Sequence, residues 1–275
     1  MRLVRRWWVD GVALALAAML FLVPFAFVLV TAGKDQAEAS LLDFTWPTEW
    51  HFWENVVGVL TARDGIVVTS LRNSFIITIV SVALIVFVSS MVAFVHQRRK
   101  DRVSSLVSVL VLAGLIIPPA VVPTIFVLQA LGLFKTLTGL ILVELAFLMP
   151  FSVIVLRAFI GSIPREIDEA AIVDGASPFT LFFRVIFPLI RPAVISVIVV
   201  TAVLVYIDFV NPLYFLPGDE NATVQLTLFN FQSQFLTQWN LLFMHVLLTS
   251  IPLLIMFIFF SRKIVSGLAA GAVKG

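Results

Sequence analysis

Six long apolar segments constrain the fold of this chain more than any other feature of its sequence. A membrane core about 30 Å thick is crossed by roughly 20 apolar residues in an α-helix, which satisfies its own backbone hydrogen bonds. Hydrophobic residues make up 61% of the chain and charged residues only 12%. The predicted spans are residues 9–31, 70–95, 103–131, 138–160, 192–216 and 241–261. We therefore predict an all-α integral membrane protein with six transmembrane helices in one domain over residues 1–275.

The first apolar segment could also be interpreted as a secretory signal, because Arg2, Arg5 and Arg6 precede it. Its apolar run continues past Pro24 to Val30, and the segment has no small-x-small cleavage site. Both properties are unlike those of a cleaved signal. We expect this segment to be a retained span.

The distribution of Lys and Arg predicts the orientation, since cytoplasmic segments of membrane proteins are enriched in both. With the N-terminus inside, fourteen of the eighteen cations fall in inner segments. These are Arg2, Arg5, Arg6, Arg98, Arg99, Lys100, Arg102, Arg157, Arg165, Arg184, Arg191, Arg262, Lys263 and Lys274. We expect a multi-pass protein with both termini in the cytoplasm and a cytoplasmic tail at residues 262–275.

Two long outer segments, residues 32–69 and 217–240, are rich in aromatic and amide side chains. Their tryptophans are Trp46, Trp50, Trp53 and Trp239. Trp is enriched where a membrane protein crosses the boundary between lipid and water. These segments are therefore expected to form an interfacial belt, with contact to a partner protein as the alternative.

The residue types present exclude several functions. The pI near 9.2 comes from cations at the ends of apolar segments, so it indicates orientation and not nucleic-acid binding. The chain has no Cys, and His51, His96 and His245 are scattered, so we expect no metal site. The Gly-Lys pair at residues 33–34 lacks the spacing of a phosphate-binding loop. We expect a protein that binds no cofactor and has no catalytic activity alone.

Prolines interrupt the third span at Pro118, Pro119 and Pro123. Proline removes a backbone donor and kinks a helix, and the freed carbonyl groups then need protein or water partners within a membrane. A packing kink and a bent helix that lines a pore both explain this pattern. The chain also lacks the two matched halves with broken helices that many secondary transporters have.

The inner loop between the fourth and fifth spans, residues 161–191, is polar and helix-prone. A capping-type Ser162, a proline in the first turn and three nearby acids predict a helix over residues 164–174. Gly175 can adopt a positive φ and end that helix, and Ser-Pro at residues 177–178 begins a second one. The loop is thus predicted to form two short helices joined by a tight turn on the cytoplasmic face.

Ionisable residues are rare within the spans, where burial of a charge in lipid costs roughly 2.5–3.5 kcal/mol. The candidates are Glu144 in the fourth span and Asp208 in the fifth. Tyr206 and Asn211 lie close to Asp208 along the chain, and together they offer the stacking and hydrogen-bonding groups of a sugar pathway. Asp208 could equally satisfy a neighbouring helix or the kink at Pro212, and Glu144 could pair with a partner subunit. A cationic or proton-coupled solute also fits these carboxylates.

The inner loop carries a motif of fixed spacing. It reads Glu-Ala-Ala, three residues, Gly, nine residues, an aliphatic residue, any residue, and then a hydrophobic-Pro pair. The matching positions are Glu169, Ala170, Ala171, Gly175, Val185 and Pro188, with Phe187 where Leu is usual. In this respect the chain resembles the membrane permeases of bacterial ABC importers.

The resemblance extends over most of the chain and points to the maltose-type, carbohydrate-uptake branch. Motifs that look like that branch are Arg72-Asn73-Ser74, Ile117-Pro118-Pro119, Gly132-Leu133, Pro150-Phe151, Asp208-Phe209 and Ile251-Pro252. The ending at residues 271–275, Gly-Ala-Val-Lys-Gly, is similar to that of the smaller permease of each pair. The sequence at residues 206–208, Tyr-Ile-Asp, departs from the Trp-Asn-Asp that relatives more often have.

This resemblance implies a complex in the bacterial inner membrane. Its other members would be a second homologous permease that completes a heterodimer, two cytoplasmic ATPase subunits that use ATP and Mg, and an extracytoplasmic solute-binding protein. The substrate would be a sugar or related polyol. In the family, the helix that begins at Glu169 is the coupling helix and sits in a cleft of the ATPase. The coupling residues implied here are Glu169, Ala170, Ala171, Asp174, Gly175 and Pro188.

Other functions stay open. A permease of the same kind could carry another solute, such as glycerol phosphate or a polyamine. A self-contained proton-coupled carrier could use Glu144 and Asp208. The inner loop, and the absence of repeats and of a second half, favour ATP-driven import.

Overall fold

The computed structural model describes residues 2–234 and 238–272, with side chains for residues 10–229, 238–255 and 258–259. Every regular element within these residues is helical, and they contain no β-strand. This confirms the all-α class.

Fourteen α-helices follow one another along the described residues. They are α1 (Arg2–Ala32), α2 (Gln36–Ser40), α3 (Phe52–Thr61), α4 (Ile66–Arg98), α5 (Arg102–Ile116), α6 (Val121–Ala130), α7 (Leu137–Gly161), α8 (Arg165–Val173), α9 (Pro178–Thr180), α10 (Phe187–Leu189), α11 (Arg191–Ile207), α12 (Val210–Phe215), α13 (Val224–Gln234) and α14 (Trp239–Ala272). A π-helical segment, Leu181–Ile186, joins α9 to α10, and two 3₁₀ turns lie at Ala62–Gly65 and Asp219–Asn221.

Three to five membrane spans follow from helix length and apolarity among the described residues. Asp10–Ala32, Phe52–Arg98 and Leu137–Gly161 are each long enough alone. Two bent pairs, α5 with α6 and the helices on either side of Ile190, bring the number to five. The sixth apolar segment lies in α14, and the stretch Trp239–Ile255, within the part described with side chains, is apolar. The count of six spans remains a prediction.

The third predicted span is broken and not merely kinked. Helix α5 ends at Ile116, α6 begins at Val121, and the two axes differ by 118°. Ile117, the residue before Pro118, has the extended conformation that a following proline favours. Two consecutive residues without an N–H then prevent the helix from continuing. The interruption predicted at these prolines is therefore a break between two helices, and a single span over residues 103–131 stays a prediction.

The described chain separates into two compact units. Unit 1 comprises Met1–Thr69 and Leu226–Pro252, and unit 2 comprises Ser70–Gln225 and Leu253–Gly275. The inner loop and all the polar residues singled out within the spans belong to unit 2. Both candidate sites are therefore described within a single unit.

In unit 1, the segment that follows α1 is held by buried polar contacts. The Lys34 ammonium is fully buried and donates to the Asp43 carboxylate at 2.6 Å and to its carbonyl oxygen at 3.0 Å. This hydrogen bond lowers the pKa of Asp43 below its ordinary value. The Asn55 amide donates to the carbonyl oxygens of Ala32 and Lys34 at 2.9 and 2.8 Å. The predicted outer segment is thus an ordered structure and not a loose loop.

In unit 2, one hydrophobic cluster joins α4, α5, α7, the inner loop and α11. Its fully or nearly fully buried members include Val86, Ala93, Val111, Leu156, Ile160, Ala171, Leu181, Ile186, Ile190 and Val197. Because residues of the inner loop belong to this core, the loop is packed onto the helices and is not a free connection.

Candidate functional site

The inner loop has the predicted form of two helices around a turn. Helix α8 carries Glu166 and Asp168 in its first turn, where acids complement the helix dipole. Gly175 has φ +83°, a conformation that favours glycine, and it follows directly after the C-cap Asp174. Ser177 then caps α9 by accepting the Thr180 N–H at 3.3 Å. The turn at Gly175 and the Ser177 cap confirm the sequence interpretation. The predicted cap at Ser162 was wrong: α8 begins at Arg165 after Pro164, which makes no side-chain cap bond, and the Ser162 hydroxyl donates to the Phe159 carbonyl oxygen at 2.7 Å.

The second half of the loop is wider than an ordinary helix. Residues Leu181–Ile186 form π-helical turns, and the chain bends by 75° at Ile190 before α11 begins. Phe182 and Ile186 are buried in the core, and the Phe182 ring contacts the rings of Phe94 and Phe187. This packing fixes the return of the chain from the loop into the fifth span.

One face of α8 is exposed and combines an acid with aliphatic side chains. Glu169 and Ala170 are exposed, and the aliphatic Ile172 and Val173 are 58% and 86% exposed. Phe179, after the turn, is 68% exposed. Of the other predicted coupling residues, Asp174, Gly175 and Pro188 are exposed as well, while Ala171 is buried.

The opposite face of α8 carries a contact that sequence reasoning missed. Asp168 is buried and forms an ion pair with Arg98, the last residue of α4. The Asp168 oxygens lie 2.6 Å from Arg98 Nε and 3.0 Å from one of its terminal nitrogens. The same guanidinium donates to the Ile163 carbonyl oxygen at 3.3 Å. The sequence signal for this ion pair was weak: Asp168 directly precedes the motif, and its place in the first turn of a helix already accounted for an acid there.

A second contact joins the ends of α4 and α7. Arg157 Nε donates to Gln97 Oε1 at 3.0 Å. Gly161, the last residue of α7, leaves space for this amide, because a Cβ there would lie 2.8 Å from Gln97 Nε2. Adjacent residues of α4 therefore hold α7 and α8 at the same place.

The polar residues predicted within the spans come together in unit 2. Asn211 Nδ2 donates to Glu144 Oε1 at 3.1 Å, which joins the fifth predicted span to the fourth. Glu144 and Asp208 line the same small cavity. Glu144 and Tyr206 are buried, at 3% and 5% exposed. The contact between Glu144 and Asn211 was not foreseen, because their separation along the chain gives no sign of it.

The fifth predicted span is interrupted at this polar cluster. Helix α11 ends at Ile207, and α12 begins at Val210. Asp208 Oδ1 accepts the N–H groups of Val210 and Asn211 at 2.9 and 3.4 Å, as a helix cap does. A side chain thus satisfies backbone donors that the break exposes inside an apolar segment.

A small cavity of about 10 Å³ lies beside the cluster. Its lining includes Glu144, Tyr206, Asp208, Ser74 and Thr223. This volume admits about one water molecule, so the cluster is closed to a sugar in this conformation.

The outer end of α4 is tied to the segment before α13. Asn73 Nδ2 donates to the Ala222 carbonyl oxygen at 3.2 Å, and Ser74 Oγ accepts the Val224 N–H at 3.0 Å. Both side chains are buried. Asn73 and Ser74 of the Arg-Asn-Ser motif therefore hold the N-terminal part of α4 against the segment that leads into α13.

Within the described residues, no group of three or more His, Asp or Glu side chains could hold a metal ion.

Comparison with known proteins identifies the family. The sequence profile of the binding-protein-dependent transport system inner membrane component matches residues 85–267. That range includes the inner loop and the polar cluster.

Individual relatives match nearly the whole chain. A putative ABC transporter permease of Caldicellulosiruptor is 34% identical and covers 92% of each chain. A diacetylchitobiose uptake permease of Streptomyces coelicolor is 29% identical over 97% of this chain and 88% of its own. A melibiose, raffinose and stachyose import permease of Bacillus subtilis is 28% identical over 95% and 94%.

A solved structure shares the fold. A chain of a bacterial ABC transporter that imports the polysaccharide alginate superposes with a TM-score of 0.82 at 20% identity, over 95% of this chain and 98% of its own. Family profile, relatives and fold agree. The chain therefore belongs to the binding-protein-dependent transport system inner membrane components and is a multi-pass permease subunit of an ABC importer, a family that binds no cofactor itself and lacks ATPase activity.

Proposed function

We propose that this permease forms half of the translocation pathway for a sugar or related polyol and is driven by a separate ATPase docked on α8. A second homologous permease completes the pathway, two ATPase subunits supply ATP hydrolysis, and an extracytoplasmic binding protein delivers the sugar. Six spans with both termini in the cytoplasm place α8 on the ATPase side.

The exposed face of α8 carries this proposal. Ile172 and Val173 expose aliphatic surface beside the Glu169 carboxylate, while the inner face of the same helix is packed into unit 2. Contiguous exposed apolar surface at a polar rim is typical of interaction sites. A short helix that presents an apolar ridge beside the exposed acids Glu166 and Glu169 fits a groove in a partner with complementary cations. The short side chain of Ala170 lets a partner approach this face of the helix closely.

The test is charge reversal at Glu169. In the complex isolated from its host membrane, Glu169→Arg is expected to abolish co-purification of the ATPase, because an acid that faces the partner becomes a cation. Lys100→Glu is the control, since it also reverses an exposed charge but lies between α4 and α5, outside the inner loop. Gly175→Pro should also uncouple the complex, because proline cannot adopt φ +83°. Full ATPase recovery with Glu169→Arg would contradict the docking proposal.

The sugar proposal draws on the relatives. Permeases that take up diacetylchitobiose and melibiose are similar over nearly the full chain. We place the pathway at the break between α11 and α12, with Glu144, Tyr206, Asp208 and Asn211 as its polar lining. Broken helices near the membrane centre expose backbone groups that a polar solute can use. The one-water cavity would then be the closed state of that pathway.

Transport in reconstituted vesicles tests the substrate class. The complete complex is expected to take up an oligosaccharide from a panel of melibiose, raffinose, diacetylchitobiose and alginate oligosaccharides only when ATP is supplied. Uptake of glycerol phosphate or a polyamine in place of every sugar would reject the substrate proposal. Transport by this chain alone, driven by a proton gradient and indifferent to ATP, would replace the whole proposal with a proton-coupled carrier.

A further inference from the structure

We infer that Arg98 and Asp168 form a clamp that makes α4 move together with α8. Movement of the ATPase would then reach the membrane through α4 as well, although the chain does not connect α4 directly to the inner loop. The chain connects the loop only to α7 and α11. The inference rests on the proposed docking of an ATPase at α8. It adds that one side-chain pair carries the motion to a third helix.

The geometry of the pair favours a rigid link. One terminal nitrogen of Arg98 donates a hydrogen bond to Asp168 Oδ1 at 3.0 Å, and Arg98 Nε lies 2.6 Å from the other carboxylate oxygen. Both oxygens of the carboxylate therefore contact the same guanidinium. The side chains are only 13% and 12% exposed. Separation of the pair would leave two poorly solvated charges, which opposes independent movement of the helices.

Arg98 also holds the start of the loop. Its two terminal nitrogens both lie 3.3 Å from the Ile163 carbonyl oxygen, just before α8. One side chain thus fixes α8 at its entrance and on its buried face. Lysine could not reproduce this arrangement, since it lacks the planar set of donors.

The neighbouring Gln97 completes the clamp. Its contact with Arg157, and the absence of a Cβ at Gly161, bring the ends of α4 and α7 together. The cluster that includes Ala93, Ile160 and Ala171 fills the space between these elements with apolar contacts. The ends of α4 and α7 and the whole of α8 therefore have the contacts of one rigid body.

The adjacent acids Asp168 and Glu169 of α8 make different contacts in this arrangement. Successive residues of a helix point about 100° apart, so Asp168 faces unit 2 while Glu169 faces outward. Loss of Glu169 should remove the partner. Loss of Asp168 should leave the partner bound but free α4 from its movement.

The experiment measures the distance between spin labels in the complete complex with its ATPase. The natural chain has no cysteine, so labels can be attached through Arg99→Cys beside the end of α4 and Arg165→Cys at the start of α8. The parent complex is expected to give the same distance with ADP and after trapping with MgATP and vanadate. With Asp168→Asn added, the distance should shift and broaden on trapping, while the ATPase still co-purifies.

Two variants make the result specific. Glu166→Gln removes an exposed carboxylate from the same helix and should behave as the parent. The exchange Arg98→Asp with Asp168→Arg should recover much of the constant distance that either single change loses. If Asp168→Asn does not assemble with the ATPase, Arg98→Gln removes the same ion pair from the α4 side, and the same distance is measured.

Parent-like distances in Asp168→Asn and Arg98→Gln in both nucleotide states would reject the clamp, and so would an equal shift in Glu166→Gln. Failure of the docking proposal has a different signature. In that case the ATPase does not co-purify with the parent chain, or Glu169→Arg retains it in full.

Discussion

At the scale of single residues, a glycine without a Cβ allows α7 to begin in close contact with the backbone that precedes it. Gly139 lies in the first turn of α7, and its N–H is accepted by the Thr136 hydroxyl at 3.0 Å. A Cβ at this position would overlap the Leu133 carbonyl oxygen. Backbone atoms cannot move aside as a flexible side chain can, so this glycine is required for the tight entry into the fourth span.

Gly139→Ala is accordingly expected to lower the free energy of unfolding by about 1–3 kcal/mol, the usual cost of forced overlap in a packed core. The measurement is the thermal unfolding midpoint of the purified complex in detergent. Gly11→Ala serves as the control, because nothing lies within 4 Å of a Cβ at that position in α1. Equal midpoints for the two variants would show that the α7 entry is not tightly packed.

At the scale of elements, two interrupted helices have different physical causes. Between α5 and α6, consecutive prolines remove the donors that a continuous helix needs. Between α11 and α12, no proline stands at the break, and Asp208 accepts the N–H groups that open there. The first break is fixed by covalent structure, whereas the second depends on one side chain and its neighbours.

Asp208→Ala is expected to destabilise the complex by about 1 kcal/mol, since α12 loses its capping acceptor. Asp208→Asn retains a side-chain oxygen and should keep the unfolding midpoint. Under the pathway proposal, both variants should alter the rate of sugar uptake or the preference among the sugars of the panel. Parental uptake by the Asn variant would limit Asp208 to a capping role.

At the scale of the whole molecule, the positive charges and the apolar segments predict the same topology. Six spans would place both termini and the inner loop on the cytoplasmic side, together with fourteen of the eighteen cations. Helix length and apolarity alone support three to five spans among the described residues. The odd or even number of crossings decides on which side the C-terminus lies.

Labelling of single introduced cysteines resolves that number, because the natural chain contains none. In intact cells with a permeable outer envelope, Glu38→Cys and Asp219→Cys should react with a membrane-impermeant maleimide. Arg6→Cys, Lys100→Cys and Lys263→Cys should react only after the membrane is opened. Reaction of Lys263→Cys from outside would favour five spans.

Sequence reasoning predicted the parts of this protein that local chemistry controls. The all-α class follows from the length of the apolar segments, and the form of the inner loop follows from Gly175 and Ser177 and from the proline after it. The motif that begins at Glu169 pointed to the family that the sequence profile matches. Its coupling role and the six spans remain predictions.

The sequence by itself determined what this chain is made of: apolar helices, a polar loop with fixed helix ends, and a family motif. Each of these depends on residues within a few turns of one another. Only the tertiary structure decided that Arg98 meets Asp168, that Glu144 meets Asn211, and that α5 and α6 diverge by 118°. The physical reason is that a pairing between residues distant in sequence depends on how helices pack, and many packings satisfy the same local pattern.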